Sequence, residues 1–248
     1  MKSTLCSVTF LLVILAVTNI CQATMLTFDQ FVDPAKTIRV ANNNQLPNQA
    51  YGDNVSDFSP AGPVNGQYVN YGSDGGLTPN VAVEYRWYFP PDGSGGLGGS
   101  LMFNFGYGPL EYVAYAAAGG SPWLSEIRFI PEADYSVRIN SFDYAGFNTN
   151  RTGQTLKILA DAASPAPQLL WAAGADGAVT FPGAGATATP NVTGAPGQPV
   201  SILWGFSSNA GLDNISFSQV AIPEPSCGML LTIALTLVAA LPRRRATH

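Results

Sequence analysis

Between its two hydrophobic ends the chain has no cysteine and no histidine: the three cysteines are Cys6, Cys21 and Cys227, and the single histidine is His248. The long middle segment therefore forms no disulfide, although small exported domains often rely on them. It also carries no Ser-His-Asp or Cys-His catalytic arrangement and no histidine-based zinc site. Charge is scarce as well, at 11% of residues. Of the 16 acids only Glu224 lies outside residues 24–221, whereas Lys2, Arg243, Arg244 and Arg245 all do, so this body is more acidic than the whole chain at −5. Sparse lysine and arginine on an acidic body argue against nucleic-acid binding. Amphipathic helical patterns are scarce, and a Walker loop, a dinucleotide fingerprint and fixed-period repeats are missing. The glycine run at 92–100 has no lysine and no following helix, so it reads as a hairpin loop and not as a phosphate cradle.

The ends carry what the middle lacks. Lys2 precedes an apolar run from Leu5 to Val17, and Cys21-Gln22-Ala23 follows with small residues where signal peptidase reads. That layout predicts a secretory signal over 1–23 cleaved after Ala23, the alternative being an uncleaved anchor. At the other end Pro223-Glu224-Pro225 is followed by an apolar run from Cys227 to Leu241 and by Arg243-Arg244-Arg245. This run is shorter than the roughly 20 residues of a full span. Gly228, Leu230, Leu231, Ile233, Leu235, Leu237, Val238 and Leu241 are its anchor residues, and the arginines are what the positive-inside bias holds in the cytoplasm. The segment 222–248 thus reads as a brief membrane tether that presents a rigid, extended Pro-Glu-Pro.

The body, 24–221, is about 200 residues, a size at which all-β sandwiches commonly remain one domain. Val81–Phe89 alternates cleanly: Val81, Val83, Tyr85, Trp87 and Phe89 on one face, Ala82, Glu84, Arg86 and Tyr88 on the other, which predicts a strand with one buried and one wet side. Further strands are predicted at 25–31, 37–40, 67–71, 100–105, 111–116, 123–130, 135–142, 155–160, 168–171, 200–206 and 212–218. Strands in succession with Gly and Pro between them predict an all-β fold of two antiparallel sheets packed face to face. The Pro/Gly-rich stretch 162–199 reads as long loops within one sandwich, because 169–171 and 179–181 still look like strands.

The order Pro-Glu-Pro, short apolar helix, arginine cluster, at 223–248, resembles the PEP-CTERM sorting signal of exopolysaccharide-making Gram-negative bacteria. That resemblance implies an exosortase-type sorting protease as partner, after signal peptidase, with the protein held briefly at the inner membrane and then displayed at the cell surface or in the extracellular matrix. An ordinary single-span tail anchor is the alternative. The body resembles the jelly-roll domains found upstream of such signals, which are similar to carbohydrate-binding modules. The residues carrying this are Leu26-Thr27-Phe28-Asp29, Phe129-Ile130-Pro131 with Tyr135-Ser136-Val137 and Ser141-Phe142-Asp143, and Gly211 to Phe217.

Three constellations could carry chemistry. Alternation from Leu212 puts Asp213 on the side of Ile215 and Phe217, and a carboxylate at the edge of a core must be paired, hydrogen-bonded or metal-bound. In the similar modules a last-strand and a first-strand acid hold a structural Ca²⁺; the matching positions here are Asp213 and Asp29, with backbone carbonyls supplying most of the shell. A turn-capping Asp is the plainer reading. Tyr88, on the wet face, and Tyr112 and Tyr115, near a turn, are candidates for stacking on sugar rings, whereas Trp87 falls on the apolar face and reads as core. Glu84, Glu111, Glu126, Glu132 and Asp134 are available acids for a two-carboxylate glycosidase. Nothing in the sequence makes two of them neighbours, and Glu84 with Arg86 reads as a surface ion pair. Sequons stand at Asn54, Asn150, Asn191 and Asn214. The leading expectation is a non-catalytic surface or matrix protein associated with exopolysaccharide. A lectin-like module with a defined glycan comes second and a secreted glycosidase third.

Overall fold

A computed structural model describes residues 23–28, 30–32, 38–40, 55–56, 58–59, 62–63, 78–89, 100–103, 105–116, 123–205 and 210–221. In chain order the strands are β1 Thr24–Leu26, β2 Gln30–Val32, β3 Ile38–Val40, β4 Val55–Ser56, β5 Phe58–Ser59, β6 Gly62–Pro63, β7 Thr78–Tyr88, β8 Ser100–Phe103 and β9 Val113–Ala116. They continue with β10 Leu124–Pro131, β11 Tyr135–Gly146, β12 Arg151–Ala160, β13 Gln168–Ala172, β14 Ala178–Phe181, β15 Ala186–Ala188, β16 Val192–Thr193, β17 Val200–Gly205 and β18 Ala210–Ala221. The expected signal segment, the terminal apolar run, Asn54 and the strand at 67–71 lie outside the described residues.

Two seven-stranded sheets hold most of the strands among the described residues. Sheet 1 runs β15-β11-β18-β9-β8, with β16 also on β11 and β1 also on β18; sheet 2 runs β13-β12-β17-β10-β7-β4, with β14 also on β12. Pairing within them is antiparallel apart from the short parallel contact of β4 with β7. Three long strands, β11, β12 and β18, are each long enough to carry two short neighbours end to end along one edge. The Pro/Gly-rich stretch supplies β13 and β14 to sheet 2 and β15 and β16 to sheet 1. Its turns interrupt strands without separating two bodies.

The sheets face each other across one apolar core. Sheet 1 contributes Leu26, Ala114, Val137, Ile139, Phe142, Leu212, Ile215 and Phe217, and sheet 2 contributes Val81, Val83, Tyr85, Ile127, Phe129, Leu156, Ile158, Val200, Ile202 and Trp204. Each large side chain buried this way stabilises the fold by about 1.5–3 kcal/mol. The rings of Phe129 and Phe217 meet across the layers at 4.8 Å, and the Trp204 Nε1–H donates to the Ala210 carbonyl at 3.0 Å, satisfying the indole's only donor.

The first-strand segment departs from expectation. Phe28 takes φ 58°, so the chain breaks after Leu26, and the single strand expected at 25–31 becomes β1 and β2. β1 joins sheet 1, while among the described residues β2 pairs only with β3. The β11–β18 ladder shifts register twice, between Ile139 and Ser141 and between Ser141 and Asp143. The first shift inserts an extra residue in β11, the second in β18 around Asn214, which lies at φ 48°. Opposed bulges cancel, so both strands stay in register while each reverses its inward face once.

Candidate functional site

The second bulge moves Asp213. Leu212 joins Ile215 and Phe217 in the core, so Asp213 lies on the outer side of sheet 1 and not on their side as strict alternation requires. It is nevertheless buried, at 5% exposure. Its cross-strand partner is Asp143, an arrangement of like charges that is unfavourable unless donors intervene. Donors are present: Asp143 Oδ1 accepts from the Thr187 hydroxyl at 2.5 Å, Asp143 Oδ2 accepts from Asn214 Nδ2 at 2.9 Å, and Asp213 Oδ1 accepts from the Asn214 backbone N–H at 2.7 Å. Asp29 lies outside the described residues, so the pair Asp29–Asp213 is not placed. Among the described residues no group of three His, Cys, Asp or Glu side chains converges.

Next to Asp213 a small apolar cluster of Tyr107, Leu110, Val113 and Ala145 covers the outer face of sheet 1, with Tyr115 and Phe147 against it. Gly211 lies beneath Tyr107, where a Cβ would come within 2.8 Å of the ring. Burial raises the Tyr107 and Tyr115 phenol pKa values above the ordinary tyrosine range, and the Tyr115 hydroxyl adds to the effect at Tyr107. Tyr115 is thus half-buried packing, and Tyr112 is half-buried against the main core.

The outer face of sheet 2 departs most from expectation. It was expected to be wet, yet Glu84 is 4%, Glu126 0% and Ser201 0% exposed. Strand register places Glu84 opposite Arg128 and Arg86 opposite Glu126, a checkerboard of opposite charges. Arg86 Nη1 donates to Glu84 Oε2 at 3.0 Å and its Nε lies 3.7 Å from Glu126 Oε2. Arg128 Nε donates to Glu126 Oε1 at 2.9 Å, and the Ser201 hydroxyl donates to the same oxygen at 2.6 Å. The expected Glu84–Arg86 pair exists, but as half of a buried, charge-balanced quartet and not as a surface pair. Alternation identified which side these residues share; it could not tell that this side is covered. Sequence reasoning also left Glu84 and Glu126 as separate acids, although Arg86 and Arg128 at the same two-residue spacing were the available sign that the two strands interlock.

Toward β12 and β13 this face becomes apolar. Tyr88 packs with Leu124, Leu159, Ala162 and Leu203 and is only 3% exposed, which corrects its reading as an open stacking ring. Its edge lines a groove of about 450 Å³ together with Lys157, Leu159, Pro165, Pro167, Leu169 and Asp176. Asp176 belongs to a single 3₁₀ turn at Ala175–Gly177 and takes a left-handed φ of 56°. Leu169, on the edge strand β13, is 53% exposed.

The exposed aromatics lie elsewhere. Trp123 is 42% exposed and meets Trp87 at 6.4 Å and Phe89 at 4.6 Å, both edge-on. Trp87 keeps the core-facing parity of its strand but is only half-buried, with its ring against Trp123. Of the other sequons, Asn150 and Asn191 are exposed and accept hydrogen bonds from Gly183 N–H and Arg138 Nη2.

The expected sorting residues Pro223, Glu224 and Pro225, the expected anchor residues and the arginine cluster lie outside the described residues, and among the described residues no helix is long and apolar enough to cross a membrane. No protein-family model matches the chain, and no curated protein matches it.

Proposed function

We propose that this chain is an exported, non-catalytic surface or matrix protein, a jelly-roll sandwich associated with extracellular polysaccharide and sorted through its Pro223-Glu224-Pro225 tail by an exosortase-type protease. The observation that carries the binding reading over the hydrolytic one is the commitment of the acids on sheet 2. Glu84 and Glu126 share one face, but Arg86 ties them together and Arg128 and Ser201 occupy Glu126 Oε1. A glycosidase needs one carboxyl free to donate a proton and a second free to attack or to activate water. Two acids locked to guanidinium groups hold strands together instead.

Two measurements test this reading. Mass spectrometry of protein released from the cell surface should show an N-terminus at Thr24 and a C-terminus that lacks Arg243–Arg245; a mature C-terminus beyond Arg245 contradicts the sorting. Released protein should co-sediment with the producer's own matrix polysaccharide without generating new reducing ends; turnover of that polysaccharide, abolished in E126Q, would establish the hydrolase. A structural Ca²⁺ belongs to the proposal through Asp29 and Asp213, and its check is the unfolding midpoint of chelator-treated protein, which should rise on adding millimolar Ca²⁺.

A further inference from the structure

The groove on the outer face of sheet 2 has a floor and a rim of different chemistry. Leu159, Leu169, Pro165, Pro167 and the edge of Tyr88 are apolar, and Leu169 stays 53% exposed in a surface position where a large aliphatic side chain gains nothing from water. The rim holds one cation and one anion, Lys157 and Asp176. Among the described residues, neither the Lys157 ammonium nor the Asp176 carboxylate takes part in a hydrogen bond or ion pair. The four charges of the quartet beside them are ion-paired with one another, so Lys157 and Asp176 are the charges that line the groove. Lys157 is directly opposite Leu203, and Leu203 is directly opposite Glu126, so groove and quartet are contiguous, about 10 Å apart at two strand spacings.

An apolar peptide laid here would strip water from both charges and return nothing to them. A polyanion would meet Asp176 within an acidic body. A neutral sugar matches both parts of the groove: its ring C–H face covers the apolar floor, and its hydroxyls, each a donor and an acceptor, donate a hydrogen bond to the Asp176 carboxylate and accept one from the Lys157 ammonium. The volume suits one or two sugar residues, within the roughly 300–1,000 Å³ of small-ligand sites. We infer that this groove is a binding subsite for a neutral saccharide, held by Lys157 and Asp176 over Leu159 and Leu169. The inference rests on the polysaccharide-associated reading above and names its site and its ligand class.

The test is titration calorimetry on the full chain as released from cells, with neutral hexasaccharides of β-glucan, α-glucan, mannan and xylan, and a galacturonate hexasaccharide as the charged comparison. At least one neutral oligomer should bind at millimolar concentration or below, and more tightly than the galacturonate. K157A and D176A should each weaken it about tenfold, the loss of one charge-assisted hydrogen bond, and L169D should abolish it. Leu169 and Asp176 are exposed, so circular dichroism of these variants should match the parent; alanine at the left-handed φ of residue 176 lowers the unfolding midpoint slightly, and a variant that loses fold is replaced by L169S or D176N. Preference for galacturonate, or neutral binding untouched by all three substitutions, overturns the inference. If no oligomer binds while the protein still co-sediments with native matrix polysaccharide, the groove is wrong and the functional reading stands. If co-sedimentation fails as well, the reading itself falls.

Discussion

Replacing Glu126 with leucine removes the acid that two guanidinium groups and a hydroxyl share. In the parent protein Glu84, Arg86, Glu126 and Arg128 sum to zero charge on a covered face; the variant leaves a net positive charge there, with Arg128 only 12% and Arg86 21% exposed. It also removes the acceptor of two hydrogen bonds, from Arg128 Nε and Ser201 Oγ. Breaking a buried pair from one side costs about 3–5 kcal/mol. At roughly 2–4 °C per kcal/mol for a domain of this size, the midpoint should fall by about 6–20 °C. R128M should cost somewhat less, about 2–4 kcal/mol, because Arg86 still faces Glu126. The double variant E126L/R128M restores neutrality: the Glu84–Arg86 pair survives, and the new side chains join Leu124 and Leu203 on the same face. Its stability should lie within about 1 kcal/mol of the parent, or above it, since well-packed apolar replacements of buried ion pairs are often neutral or stabilising. Urea unfolding of the full chain at neutral pH, followed by tryptophan fluorescence and far-UV circular dichroism, measures all four corners of the cycle. A coupling of about 3 kcal/mol or more is expected. Single losses that simply add, with coupling under about 0.5 kcal/mol, would refute the idea that the quartet acts as one neutral unit.

Three further outcomes follow from local geometry. G211A forces a methyl to within 2.8 Å of the Tyr107 ring and of Val113 Cγ2 and should lower stability by about 1–3 kcal/mol, read from the urea midpoint. N214A loses the hydrogen bond to Asp143 and leaves a β-carbon at φ 48°; N214G loses only the bond, so alanine should be the worse by about 1 kcal/mol. Tyr107 and Tyr115 hold their protons more tightly when folded. The unfolded chain therefore gives up those protons first, and stability should be fully present below about pH 10 and fall as pH rises above it. In Y107F that alkaline slope should be shallower, and a slope equal to the parent's would place the effect elsewhere.

The strands were legible where one side chain in two is apolar and the pattern runs unbroken. Val81, Val83 and Tyr85 enter the core as alternation requires, and β10, β12 and β17 begin or end within a few residues of expectation. Alternation fails at Asp213 because it assumes that no residue is added, and the bulge at Asn214 adds one. A sequon reading of Asn-Ile-Ser there hid the more useful meaning of Asn, a residue that tolerates the left-handed region. The covered outer face of sheet 2 was illegible for a different reason. A polar row on a strand reads as wet whether it faces water or an oppositely charged row on its neighbour, and only pairing distinguishes the two. The groove was out of reach altogether, because Tyr88, Lys157, Leu169 and Asp176 come from separate segments that only the register of β12 and β13 and the turn at 175–177 bring together.

The pairing of β1 with β18 matches Thr24 with Phe217, so the first and last strands of the sandwich are neighbours. Such a sheet cannot close until nearly the whole chain is available, and contacts this distant in sequence make folding slow. For a chain threaded across a membrane from its N-terminus, as proposed, that delay is useful: β11 and β9 wait for β18 as well, so no stable sandwich forms on the near side while the chain is still crossing. The strand that completes the sheet is also the one that leads directly into the tail. Arrival of the proposed sorting signal at the membrane and completion of the fold would then be a single event in time.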